Sequence, residues 1–363
     1  MRVVPVGPNL AGRRLARSVV LKDGRVLLKA GTVLTPQYIE SLSRRGFQWV
    51  HIHHELLPDL ALDADISEEL RIRATEQVFQ AAEAVARRRP LDHVGIERTA
   101  EMLLEEVRAN GDVVYGLAVV RAADDDTFTH SVNVAVLSLA IGLRSGLTDR
   151  LLRRLGVGAL LHDIGKALLP KEILTKPGPL TDEEREILKT HTTLGFHALR
   201  EEAPSMSPLS TNVALSHHER LDGSGYPRGI RDPEIHLFSK IVAVADVWDA
   251  MVSDRPYRPG LSEVEAARTL AAGAGRLFRP ELVQRLLLRV AVFPTGTYVR
   301  LSDGRAGVVT RQTPEPTQPE VTVLWDRRNR PVKPATVRVG EEGLYIDAVM
   351  DHLPSAMDGH GRL

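Results

Sequence analysis

Apolar residues recur at helical spacing through the middle of the chain and at strand spacing only towards its two ends. The periodicity predicts helices over 97–108, 131–144, 149–161, 182–200, 209–217, 238–253, 262–272 and 280–289. An all-helical core follows, because amphipathic helices with short connections bury their stripes against one another. Upstream, 66–89 carries a helical repeat among many charges, with Ser67 and Glu68 at its start and Pro90 just past its end. It reads as a connecting helix whose apolar positions suit a homodimer seam.

The ends are different. Residues 1–60 hold short β-like runs at 17–21, 26–28 and 47–52, a Lys22-Asp23-Gly24 turn and a helical stretch at 35–45. After Pro294, short alternating runs at 297–301, 306–310 and 321–325 are punctuated by Asp303-Gly304 and the segment TPEPTQPE. The expected architecture is mainly α. It has a small mixed α/β module at 1–60, a helical linker at 61–92, the helical core at 93–290, a small β-barrel-like module at 291–350 and a tail at 351–363.

Charge and composition narrow the chemistry. Lys plus Arg equals Asp plus Glu at 47 each over 363 residues, so no net field would hold a DNA or RNA polymer or an anionic membrane. A phosphate site would have to be local. There is no cysteine, which excludes disulfides, zinc ribbons, iron–sulfur clusters and thiol catalysis and leaves His and carboxylates as metal ligands. The basic start lacks an uninterrupted apolar run, and the apolar runs elsewhere are too short to span a bilayer, so a cytoplasmic location is expected.

Ligand-type residues cluster in the helical core: His130, the pair His162-Asp163, His191, the pair His217-His218, and Asp246. Asp246 lies in the apolar run IVAVADVW, where an unpaired carboxylate would cost on the order of several kcal/mol. A cation should stand beside it. Neighbouring side chains on a helix point about 100° apart, so His162 and Asp163 are better placed to serve two adjacent ions, with the carboxylate as bridge, than to grip one.

The strings THSVNVAVLSLAIGL at 129–143, LLHDIGK at 160–166, KTHTTLGFHAL at 189–199, HHERLDGSGYP at 217–227 and KIVAVADVWDAMVSDRPYR at 240–258 carry a resemblance to a known family. The chain resembles the HD superfamily of metal phosphohydrolases, and specifically its HD-GYP branch. HDIGK alone indicates the superfamily; the HHExxDGxGYP string is the specific part.

The resemblance implies a metal-dependent phosphodiesterase acting on cyclic di-GMP, with pGpG, GMP or both as product. It implies one ion held by His130, His162, Asp163 and Asp246 and a second by Asp163, His191, His217 and His218. Iron, manganese or nickel suits this thiolate-free set. Such a pair can lower the pKa of a water between them and present hydroxide to a phosphodiester. Lys166 is the implied cation for the developing negative charge, and with Tyr226, Asp249, Arg255 and Arg258 it makes the implied substrate contacts. Glu219 and Asp222 are expected behind the ligands, Glu219 orienting a histidine. Some members bind a third ion through a Glu where this chain has Asp126; the shorter side chain favours two ions here. Arg279 replaces a usual Asp, and no role for it follows. Two alternatives stay open: a hydrolase of another cyclic dinucleotide, and a receptor that binds cyclic di-GMP without turnover.

Overall fold

A computed structural model describes residues 2–21, 25–47, 49–53, 66–110, 127–176, 178–253 and 260–350. Asp126, Arg255 and Arg258 lie outside the described residues. About half the chain is helical, and its C-terminal part is a five-stranded sheet.

The N-terminal part contains β1 (Arg2–Pro5), β2 (Val19–Val20), β3 (Val26–Leu28), α1 (Pro36–Arg44) and β4 (Trp49–Ile52). Strand β1 pairs antiparallel with β4, and β2 with β3. The Thr35 hydroxyl caps α1 by accepting from the Tyr38 N–H at 3.2 Å. Leu10, Leu15, Leu34, Leu42, Phe47 and Val50 bury a small core of their own.

The helical part runs α2 (Glu68–Ala86), α3 (His93–Ala109), α4 (Thr127–Arg144), α5 (Asp149–Leu160), a 3-10 helix (Ile164–Leu168), α6 (Lys171–Leu174), α7 (Asp182–Lys189), α8 (His191–Glu202), α9 (Pro208–Ser216), α10 (Leu237–Val252), α11 (Glu263–Ala272) and α12 (Pro280–Leu287). Helices α4 and α10 are apolar nearly all round, which places them at the centre, in contact with each other. Helices α2 and α5 flank α4, and α9 leans on α5 and α8. Among the described residues no helix is long and apolar enough to cross a membrane.

Two expectations need correction here. The helix read as a linker and dimer seam is part of the core: Leu70, Ala74, Val78, Ala81, Ala82 and Val85 of α2 are buried in the same apolar cluster as α4 and α10. Its stripe is spent within the chain, against α3, α4 and the 3-10 helix. The single helix expected over 182–200 is two, α7 and α8, parting at Thr190. There Thr190 Oγ1, His191 Nδ1 and Thr192 Oγ1 donate to the carbonyls of Ile187, Leu188 and Lys189, so side chains take over the acceptors a continuous helix would use.

The C-terminal sheet comprises β5 (Tyr298–Leu301), β6 (Ala306–Arg311), β7 (Glu320–Trp325), β8 (Pro331–Arg338) and β9 (Ile346–Met350), in the antiparallel order β8-β7-β6-β5-β9. Sequence patterning finds only β5, β6 and β7. Strand β8 is exposed along its length and contains two prolines and a lysine, which suit an edge and erase the alternation.

Candidate metal centre

The pair His162-Asp163 stands where α5 ends and the 3-10 helix begins, with exposures of 0% and 3%. Close approach of glycines brings α8 to this junction. A Cβ on Gly165 would stand 2.0 Å from the His191 carbonyl oxygen and 2.5 Å from the Gly195 nitrogen. With no side chain on either glycine, His191, the first residue of α8, reaches Asp163. His130 comes from α4, Asp246 from α10, and His217 and His218 follow the end of α9.

Asp163 faces two ways. Its Oδ1 lies 3.3 Å from His191 Nε2 and 3.7 Å from His217 Nε2, while its Oδ2 lies 3.4 Å from His162 Nε2 and 3.8 Å from His130 Nε2. Asp246 completes the ring, with Oδ1 at 3.2 Å from His130 Nε2 and Oδ2 at 3.7 Å from His218 Nδ1. The ligand atoms form two clusters, Asp163-His191-His217-His218 and His130-His162-Asp246, each with all its atoms within 4.8 Å of one another.

Hydrogen bonds on the far side of the rings set the tautomers. The Nδ1–H groups of His162, His191 and His217 donate to the backbone carbonyls of Ala159, Leu188 and Val213 at 2.8, 2.6 and 3.0 Å. That of His130 donates to Asp249 Oδ2 at 2.7 Å. The Nε2 atoms of His162, His191 and His217 are thereby left with their lone pairs directed inwards, the arrangement a metal ligand needs, and His130 presents its Nε2 inwards as well. Among the described residues, His162 Nε2 and Asp163 Oδ1 are buried and have no hydrogen-bond partner. Such orphans are costly, and divalent cations between these nitrogens and carboxylates would satisfy them. The residues present fit the metals that the motifs imply.

The protonation states agree. Burial lowers the pKa of His191 to about 3 and depresses those of His217 and His218, so these imidazoles are neutral. Burial also opposes a charge on His130, but hydrogen bonds with Asp246 and Asp249 prevail and raise it to about 9. Burial disfavours the charged Asp163 and Asp246. Even so, Lys166 beside Asp163 and the His130 bond to Asp246 help to hold both well below the usual carboxylate range. Lys166 Nζ donates to Asp163 Oδ2.

The remaining implied site residues divide. Tyr226 is beside the cluster, its ring stacked on His218 at 4.6 Å between centroids and 6.4 Å from that of His191. Lys189 Nζ lies 5.6 Å from the Tyr226 ring centre. The loop carrying Tyr226 is tight: a Cβ on Gly225 would meet the His218 carbonyl oxygen at 2.4 Å.

Asp249, an implied substrate contact, also stands behind a ligand. It is 0% exposed, and its carboxylate takes the His130 Nδ1–H and, at 2.9 Å, the Asn133 Nδ2–H. Glu219 does not orient a histidine. Its carboxylate accepts the backbone N–H groups of Arg228 and Ile230 at 3.0 and 3.2 Å and so clamps the loop after Tyr226. Asp222 caps the Ser224 turn and meets Arg276 at 3.4 Å, with no ligand beside it in those bonds. Arg279 gains a role: its Nη2 donates to both oxygens of Asp232, which Lys240 also holds.

Sequence reasoning missed Asn133. Its signal was a polar side chain in an apolar helix, three residues after His130 and therefore on the same face.

Residues 117–282 match the family described as the HD domain. The chain is 37% identical over 250 residues to the cyclic di-GMP phosphodiesterase PA4108 of Pseudomonas aeruginosa, covering 67% of this chain and 60% of that protein. It is 45% identical over 164 residues to a cyclic di-GMP phosphodiesterase of Thermotoga maritima, covering 45% of each. It is 41% identical over 144 residues to the 3'3'-cGAMP-specific phosphodiesterase 1 of Vibrio cholerae, covering 40% of this chain and 33% of that protein. The chain thus spans 60% or less of the length of each of these relatives. With the HHERLDGSGYP string supplying His217, His218 and Tyr226 to this cluster, residues 117–282 match the HD domain family and carry the motifs of its HD-GYP branch.

Proposed function

We propose that the chain is a metal-dependent phosphodiesterase that opens cyclic di-GMP to linear pGpG, GMP or both. The observation that carries this reading is the two-sided Asp163, whose oxygens face separate clusters of histidines. The arrangement suits two divalent ions rather than three, with iron, manganese or nickel fitting the His-rich, thiolate-free set. Bound there, they would supply Lewis acidity and lower the pKa of water beside a phosphodiester.

The chain's own residues supply the rest. Asp163 keeps the two clusters in register, and Lys166 presents an ammonium where phosphoryl oxygens gain negative charge. Tyr226, held flat against His218, offers an aromatic wall to the substrate. Arg255 and Arg258, assigned by motif alone, bring guanidinium forks suited to phosphate or guanine edges. The end units 1–60 and 291–350, the second barrel-like, are assigned to regulation or assembly rather than to chemistry.

A second reading keeps the reaction and changes the base, since one similar protein is named for 3'3'-cGAMP. Anaerobically purified, metal-analysed protein should be incubated with cyclic di-GMP, 3'3'-cGAMP and cyclic di-AMP, and the products separated by chromatography. Fastest conversion of cyclic di-GMP is expected. Preference for another dinucleotide would reassign the substrate, and tight binding by metal-loaded protein without turnover would make the chain a receptor.

A further inference from the structure

Helix α2 lies outside the matched 117–282 segment, yet one of its side chains begins a chain of bonds that ends at the metal centre. Arg71 Nη1 donates to Asn133 Oδ1 at 2.6 Å, and Asn133 Nδ2 donates to Asp249 Oδ1 at 2.9 Å. Asp249 Oδ2 accepts from His130 Nδ1 at 2.7 Å. Asn133 and Asp249 are both fully buried, so bulk water does not compete for the middle of this chain.

A primary amide is ambiguous, because a half-turn exchanges its carbonyl and amino ends with almost no change of shape. Turned the wrong way, Asn133 would set its carbonyl oxygen against the buried Asp249 carboxylate and leave an acceptor without a donor. A guanidinium has donors only. Arg71 therefore takes the carbonyl end of Asn133 and leaves the amino end for Asp249. Asp249 then receives one hydrogen bond from Asn133 and one from His130. His130 Nε2 is left facing Asp246 Oδ1, at 3.2 Å.

We propose that Arg71 is a positioning residue for the ion held by His130, His162 and Asp246, acting through the amide of Asn133 and the carboxylate of Asp249. This rests on reading the cluster as a metal centre. A helix that precedes the matched segment thus takes part in holding its metal.

The test is the Mn2+ affinity of the full, metal-stripped chain, measured by competition with a fluorescent chelator. Arg71→Met is expected to weaken one of two binding events by roughly tenfold, the lower end of what partners behind metal ligands contribute, and to leave the other unchanged. Arg71→Lys, also a donor-only cation, should restore most of the affinity. In an Asn133→Leu background Arg71→Met should add no further loss, because the two residues act in series. Arg71→Gln, whose amide returns the ambiguity, should behave like Met and serves if Arg71→Met does not fold. Wild-type affinity in both Arg71→Met and Arg71→Gln, or additive losses with Asn133→Leu, would overturn the role of Arg71 alone. A wild-type chain that takes up no Mn2+ would overturn the metal centre itself, and this inference with it.

Discussion

Gly165 and Gly195 stand back to back, the Gly165 nitrogen 3.0 Å from where a Cβ on Gly195 would be. This contact brings the start of α8 against the end of α5 and sets the 3.3 Å gap between His191 and Asp163. Gly165→Ala should force the two backbones apart. Overpacking of this kind costs about 1–3 kcal/mol. Lower thermal stability of the metal-stripped chain together with loss of metal from the His191 cluster is expected. Unchanged melting and unchanged metal content would show that the junction can yield without cost.

Asp163→Ala removes a carboxylate whose two oxygens face the two clusters, and both ions and the hydrolytic activity should go together. Elemental analysis against protein concentration reads this directly. Full occupancy in the variant would exclude Asp163 as the shared ligand.

Lys166→Ala takes away a cation that is not itself a ligand, so metal content should hold while turnover falls. By analogy with donors to a developing oxyanion, the loss is about 2–4 kcal/mol, or roughly 30- to 1,000-fold in kcat. A kcat within a factor of two of wild type would leave Lys166 as no more than a counter-ion to Asp163.

Metal uptake should release a proton from His130. Its pKa of about 9 lies above its ordinary value, so in metal-stripped protein at pH 7.5 it carries a proton, whereas His191, His217 and His218 do not. A histidine must be neutral to ligate. Saturation with Mn2+ in weak buffer should therefore release protons below pH 8, and the share of the release that His130 supplies should fade as pH rises through 9. No detectable release at pH 7.5 would show that His130 is already neutral before metal arrives.

The ligand set was legible because its chemistry is local: His and Asp in apolar helices have few uses besides a buried cation, and their order along the chain matched a pattern. The central helices were legible for the same reason, through their apolar runs. The supports were not. Asp249 read as a substrate contact because its motif sits beside Arg255; only folding turns it inwards, to His130. Glu219 looked like a partner for the histidines next to it in the chain, whereas the donors to its carboxylate are the backbone N–H groups of Arg228 and Ile230. Asn133 and Arg71 are 62 residues apart, and nothing in either neighbourhood announces the other. The break at Thr190 was hidden because helical periodicity does not register hydroxyls and an imidazole competing for carbonyls.

The placement of α2 separates two kinds of boundary that are often treated as one. The match to the HD domain family starts at residue 117, whereas the apolar cluster starts at Ile66. A truncated chain opening at 117 would uncover the flank of α4 and leave the 3-10 helix after Asp163 without its cover. A transfer of the matched segment alone between proteins would have to carry α2 and α3 along, or find replacements of the same shape. The stretch that the family match delimits is smaller than the apolar core that encloses it.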